Sequence, residues 1–125
     1  MPSASSAFVL ILGAALAVPA LAEEAVRLLV QNSALAGLRY YAAREVAHEL
    51  RVGDALELAR EPGNPHDANA IAVSWRGRKL GYVPRRDNAA VAWGLDRGTP
   101  LRARISRLAR VPNPARRIEI EVFID

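Results

Sequence analysis

Apolar and polar positions follow two regimes along this chain. Residues Ala7 to Val18 form an almost unbroken apolar run, whereas from Val26 onward apolar residues come in short groups separated by turn residues. In the second regime a period of two dominates. Leu56 and Leu58 flank Glu57, Ile71, Val73 and Trp75 share one phase, and Leu101, Ala103 and Ile105 alternate with Arg102 and Arg104. Ile118, Ile120, Val122 and Ile124 continue the pattern to the end. Successive strand residues face opposite sides of a sheet, so these stretches predict strands over 55–60, 69–76, 101–110 and 117–124. Residues 26–31 and 79–83 read as two more, and 38–42, around Arg39-Tyr40-Tyr41, as another short one. The phase slips near Ser106-Arg107, which predicts a bulge. Arg76-Gly77 suits a tight hairpin, because glycine supplies the positive φ such turns need. Residues 44–51 fit either a helical turn or an extended excursion.

One helix is predicted, over 87–97. Asp87 or Asn88 would cap it, Arg97 would face the negative end of its dipole, and Gly98 would stop it. Residues 62–67, Pro-Gly-Asn-Pro-His-Asp, form a loop, because two prolines and a glycine do not sit in a central strand. Trp75 and Trp93 both read as core residues. The sum, about six short strands and one helix, predicts a mostly β domain: a small, bent, OB-like barrel.

The leading apolar run is too short to span a bilayer, which needs about 20 apolar residues. It suits the apolar region of a signal peptide, and Ala20-Leu21-Ala22 supplies the small-x-small cleavage pattern. The reading is therefore a signal peptide over 1–22, a domain over 23–125, and an exported, periplasmic or secreted protein. The stretch before the run, Met1 to Ser6, carries no Lys or Arg. That leaves an uncleaved anchor, the one route to a membrane, or an internal start as alternatives.

The chain has 125 residues and no cysteine, so no disulfide or thiolate metal site exists and the fold stands on its apolar core. Net charge is +4, and it is unevenly spread. Residues 76–117 hold twelve Arg and Lys against Asp87 and Asp96, while residues 118–125 hold three acids and no base. Lys79 is the single lysine, and arginine suits bidentate phosphate contact. Enzymatic readings find no footing. His48 and His66 lack metal-ligand spacing, Ser33, Ser74 and Ser106 lie in no nucleophile-elbow context, and there is no phosphate-binding loop. No cofactor or metal is expected.

Two stretches resemble the HIRAN family. The stronger contains Arg60-Glu61-Pro62-Gly63-Asn64-Pro65-His66-Asp67-Ala68-Asn69-Ala70-Ile71-Ala72-Val73 and continues into Leu80-Gly81-Tyr82-Val83-Pro84-Arg85. The other is Ala36-Gly37-Leu38-Arg39-Tyr40-Tyr41. HIRAN domains occur fused to SWI/SNF-type ATPases and as standalone bacterial proteins, and fused members bind the free 3′-hydroxyl end of single-stranded DNA. The resemblance implies a matching site here. Arg39 would contact a phosphate and Tyr40 would pack on the terminal nucleotide. Asn64 would contact base or sugar, His66 would stack where other members have Tyr, and Asp67 would accept a hydrogen bond from the 3′-hydroxyl. Tyr82 would occupy a variable aromatic or His position, and Arg85 would hold the next phosphate. One departure is the loop 111–115, which lacks the aromatic that DNA-binding members place there.

The residues alone leave two readings open. Aromatics interleaved with arginine suit strand binding, and a carboxylate at Asp67 would accept from a 3′-hydroxyl and repel a 3′-phosphate. Equally, Asn64 and Asp67 sit among Pro and Gly, where such side chains cap their own turns. Two functions follow. One is a non-catalytic nucleic-acid-binding module for single-stranded DNA or its 3′ end. The other is an exported envelope protein that uses the fold to bind a protein or acidic polymer, with DNA binding lost.

Overall fold

The computed structural model describes residues 28–109 and 118–125. The expected signal segment over 1–22 and the 111–115 loop lie outside the described residues. Six strands form one sheet: β1 (Leu28–Ala34), β2 (Ala55–Arg60), β3 (Ile71–Trp75), β4 (Arg78–Tyr82), β5 (Leu101–Leu108) and β6 (Ile118–Ile124). Their spatial order is β1-β6-β5-β2-β3-β4, and every neighbouring pair is antiparallel. The sheet curls into a half-barrel, and its two edges meet beyond β1. Just beyond β1, Ala36 and Tyr82 exchange both backbone hydrogen bonds at 2.9 Å, joining the first strand's extension to the last strand in the order.

The core fills the inside of the curl. Ile71, Val73, Leu80, Ile105, Ile118, Ile120 and Val122 are among its most buried members, and Trp75 joins them at 4% exposure. Burial of such side chains is worth roughly 1.5–3 kcal/mol each. The Trp75 indole N–H is satisfied by the Asp54 carboxylate at 3.1 Å, as a buried indole requires. A short helix, α1 (Ala43–Val46), lies between β1 and β2 and buries Ala43 and Val46. The 44–51 excursion is therefore helical at its start and turns thereafter.

Arg76 and Gly77 both have positive φ, 47° and 77°, the geometry of a two-residue hairpin whose twist matches its strands. The β5–β6 register shifts between Ile105 and Arg107, as the broken alternation at Ser106-Arg107 predicts.

Three expectations need correction. Residues 38–42 are not a strand. Gly37, at φ 74°, sends the chain into a 3-10 turn over Leu38–Tyr40, and Ala36 alone takes a ladder position. The predicted helix is two pieces, a 3-10 turn over Arg85–Asp87 and α2 (Ala89–Asp96), and Asn88 precedes α2 without capping it by its side chain. Trp93 is not core but 64% exposed. On α2 the buried side is formed by Val91, Ala92 and Gly94, and it approaches β5 closely. A Cβ added at Gly94 would lie 2.9 Å from Leu101 Cδ1, so that side has no room for an indole.

On β5 the fold sets the basic middle of the sequence against the acids of β6 and the C-terminus. Arg104 pairs in register with Glu121, and Arg107 with Glu119, on adjacent strands. Side-chain ion pairs join Arg104 to Glu121, Arg107 to Glu119 at 3.7 Å and Arg102 to Asp125 at 2.9 Å. The three acids at the chain's end thus meet three arginines of β5. Such surface pairs contribute little stability, about 0–1 kcal/mol each, but they remove the positive potential that the composition suggests on this face.

Candidate nucleic-acid interface

Two small hydrogen-bond networks build the site, one on each side of the 61–70 loop. In the first, Glu61 at the end of β2 gathers its neighbours. Its Oε1 accepts from Tyr82 Oη at 2.8 Å and from Asn64 Nδ2 at 3.1 Å, and its Oε2 accepts from Lys79 Nζ at 3.2 Å. Lys79 also donates to Tyr82 Oη. The ammonium lies 4.7 Å from the centre of the Tyr41 ring and 4.3 Å from that of Tyr82. These rings meet edge to face at 5.7 Å, an arrangement favoured by the ring quadrupoles.

Burial works against the charge of Glu61, but the bonds from Tyr82, Asn64 and Lys79 outweigh it and hold the carboxyl below its ordinary value of 4.5. Burial likewise works against the Lys79 ammonium, and Tyr82 and Glu61 outweigh it and push the group up. For Tyr82, the Lys79 bond favours ionisation, but burial together with Glu61 and Tyr41 prevails and raises the phenol. A depressed carboxyl stabilises the fold fully above the unfolded value and loses that contribution as pH falls through the folded one. The expected result is a cluster contribution present above pH 4.5 and fading in more acidic solution. Glu61→Gln should flatten that acid limb in urea midpoints measured from pH 3 to 7, and an unchanged limb would refute the coupling.

The second network centres on Asp67. Its Oδ1 accepts from the Asn69 backbone N–H at 2.9 Å, and its Oδ2 accepts from Asn88 Nδ2 at 2.7 Å. Asn88 is 1% exposed, so its amide is committed to this bond rather than to the helix end. Asn64 Oδ1 accepts from the His66 N–H at 2.9 Å. Both Asx side chains therefore brace their own loop. Each Asp67 oxygen retains acceptor capacity, since a carboxylate offers about four lone-pair sites. Arg60 fixes the far end of the loop. It donates to Ala70 O at 2.8 Å and Ala68 O at 3.0 Å and pairs with Asp96 of α2 at 2.9 Å.

The networks join Asn64 and Tyr82 through Glu61, and they tie Asp67 to the 85–88 turn through Asn88. Tyr40 is 69% exposed, and His66, which precedes Asp67, and Arg85, three residues before Asn88, are exposed as well. Arg39 is the middle residue of the Leu38–Tyr40 turn. Among the described residues no group of three His, Cys, Asp or Glu is placed to hold a metal ion.

The HIRAN domain family model matches residues 28–125. This chain belongs to the HIRAN domain family. The helicase-like transcription factor of Mus musculus is 41% identical over 61 residues, which are 48% of this chain and 6% of that protein. The protein of the same name from Oryctolagus cuniculus is 39% identical over 61 residues, again 6% of its length. This HIRAN domain thus spans a small fraction of the curated relatives it matches. A solved protein structure from Lactobacillus plantarum superposes with a TM-score of 0.69 at 30% identity, covering 79% of this chain and 95% of that one. The HIRAN domain of human HLTF superposes with a TM-score of 0.62 at 22% identity over 78% of each chain, a likeness of fold.

Sequence reasoning about this HIRAN domain missed Glu61, Lys79 and Asn88. The signal for Lys79 was its being the single lysine, but its place beside Tyr82 depends on a bulge. The β3–β4 register runs Val73↔Gly81 and then Ser74↔Lys79, leaving Leu80 as the extra residue. In a regular strand, positions 79 and 82 face opposite sides, and one extra residue brings them to the same side.

Proposed function

We propose that this HIRAN domain is a non-catalytic module that binds single-stranded DNA at its 3′-hydroxyl end. The observation that carries the reading is the setting of Asp67. Its carboxylate is oriented by Asn69 and Asn88, keeps acceptor capacity, and stands next to exposed His66 in sequence, while Asn88 ties it to the turn that begins at exposed Arg85. Among the described residues Arg85 makes no ion pair, and its exposed guanidinium would be available to a phosphate. A terminal hydroxyl would donate to Asp67, a terminal phosphate would be repelled by it, Tyr40 and His66 offer faces for stacking, and Arg39 would hold a further phosphate. Asn64 and Tyr82 would shape the floor beneath base or sugar, with Glu61 and Lys79 setting their orientation.

The second reading, general binding of an acidic polymer in the envelope, draws less support. The arginines of β5 that would serve it are matched by Glu119, Glu121 and Asp125.

The test is fluorescence anisotropy of the protein with a short single strand ending in 3′-hydroxyl or 3′-phosphate, at two salt concentrations. Tighter binding to the hydroxyl-ended strand is expected, by tenfold or more for a difference of about 1.4 kcal/mol or above. Arg85→Ala should weaken both strands and reduce the salt slope by about 0.7, one phosphate contact of a single strand. Equal affinity for both ends, or none for either, would overturn the assignment.

A further inference from the structure

The outer side of α2 carries a feature that the end-binding reading leaves unused. Trp93 is 64% exposed, although a large aromatic is normally drawn into a core. The Arg97 guanidinium lies 3.7 Å from its ring centre. Ala89, Trp93 and Arg97 stand four residues apart, and residues at that spacing are neighbours on a helix surface. Arg85 precedes Ala89 by another four, in the adjoining 3-10 turn. Along α2 the row thus reads small residue, tryptophan, arginine, with a second arginine in the turn ahead of it.

Its charge is unopposed. Among the described residues neither Arg85 nor Arg97 makes an ion pair, and Asp96, the nearby acid of α2, is engaged by Arg60. Ala89 and Ala90 are exposed and small, so no bulk separates the 85–88 turn from the indole. From Ala89 to Arg97 the helix rises ~12 Å at ~1.5 Å per residue. That length accommodates a few stacked bases at ~3.4 Å each. The row begins one residue after Asn88, which is bonded to Asp67, so its first turn lies close to the end-binding site.

We infer that this row is a second contact surface for the same ligand, on which a single strand held by its 3′ end lays an upstream base on Trp93 and adjacent phosphates on Arg97 and Arg85. The inference rests on the end-binding reading. Stacking platforms interleaved with arginine are how proteins hold single strands without reading sequence, so this contact adds affinity with strand length and is indifferent to which base stacks.

The experiment compares the protein with Trp93→Ala and Arg97→Ala, using hydroxyl-ended strands of two and of eight nucleotides and an eight-nucleotide strand whose upstream positions are abasic. Trp93→Ala should weaken the eight-nucleotide strand about tenfold, the loss of one stacked base, and leave the two-nucleotide strand unchanged. The abasic strand should bind both forms alike. Quenching of Trp93 fluorescence by the long strand should accompany binding, because Trp75 is buried and reports little. Equal affinity of Trp93→Ala and the unaltered protein for the long strand would overturn the row while leaving end binding intact. The same loss on the abasic strand would overturn stacking, and would point to the row as a site for acidic polymers generally. Failure of the unaltered protein to bind either hydroxyl-ended strand would overturn the end-binding reading itself.

Discussion

Gly81→Ala should lower stability by about 3 kcal/mol, at the upper end of the usual cost of overpacking. A Cβ at Gly81 would lie 2.3 Å from the backbone oxygen of Ala36, a contact that no rotamer change can relieve. Ala36 is the residue whose two bonds to Tyr82 close the curled sheet. The substitution therefore strikes a bridge between the two edges, just ahead of the turn that carries Arg39 and Tyr40. Gly63→Ala is the control, since nothing lies within 4 Å of a Cβ there. Urea unfolding of both variants decides the matter, and matching midpoints would show that the bridge yields at little cost. The glycine in Leu80-Gly81-Tyr82 thus has a steric reason, the close approach of another backbone, rather than a conformational one.

Asn88→Asp should cost at least about 3 kcal/mol at pH 7, in the range seen when a buried charge loses its partner. The Asn88 amide donates to Asp67 Oδ2 across 2.7 Å from a position that is 1% exposed. A second carboxylate there would face the first with no proton between them. One of the two would then hold a proton well above the ordinary carboxyl range. The folded state would bind more protons than the unfolded one through that window, so stability would fall as pH rises through it and recover on acidification. Urea midpoints at pH 5 and pH 7 test this. A variant as stable as the unaltered protein at pH 7 would mean that the Asp67–Asn88 bond does not anchor the loop. Because the same bond orients Asp67, hydroxyl-end binding should weaken in parallel.

Much of the strand arrangement was legible because one face of each strand is buried. The boundaries of β2 follow the alternation of Leu56, Glu57 and Leu58, and the bulge in β5 is visible as a broken alternation. The hairpin at Arg76-Gly77 follows from backbone chemistry alone. Residues 38–42 misled because a three-residue aromatic corner and a short strand share the same composition, and Gly37's left-handed backbone decides between them. Trp93 misled because size is a poor guide on an alanine-rich helix. Which side is buried there depends on how near α2 comes to Leu101, a tertiary distance.

By itself the sequence determined the family, the mostly β class and the loop that bears Asn64, His66 and Asp67, since these depend on local pattern and on a specific run of residues. The tertiary structure decided where charge and polarity finally lie. It spent the three terminal acids on the arginines of β5 and brought Lys79 to Tyr82 across a bulge. It also turned the Asn88 amide from the helix end to Asp67 and left Trp93 exposed beneath Arg97. The first three are pairings between residues distant in sequence or out of phase on one strand, and the fourth is an exposure set by how closely α2 packs on β5. Strand alternation and helical spacing constrain neighbours, whereas such pairings arise only once the sheet has curled and its two edges have met.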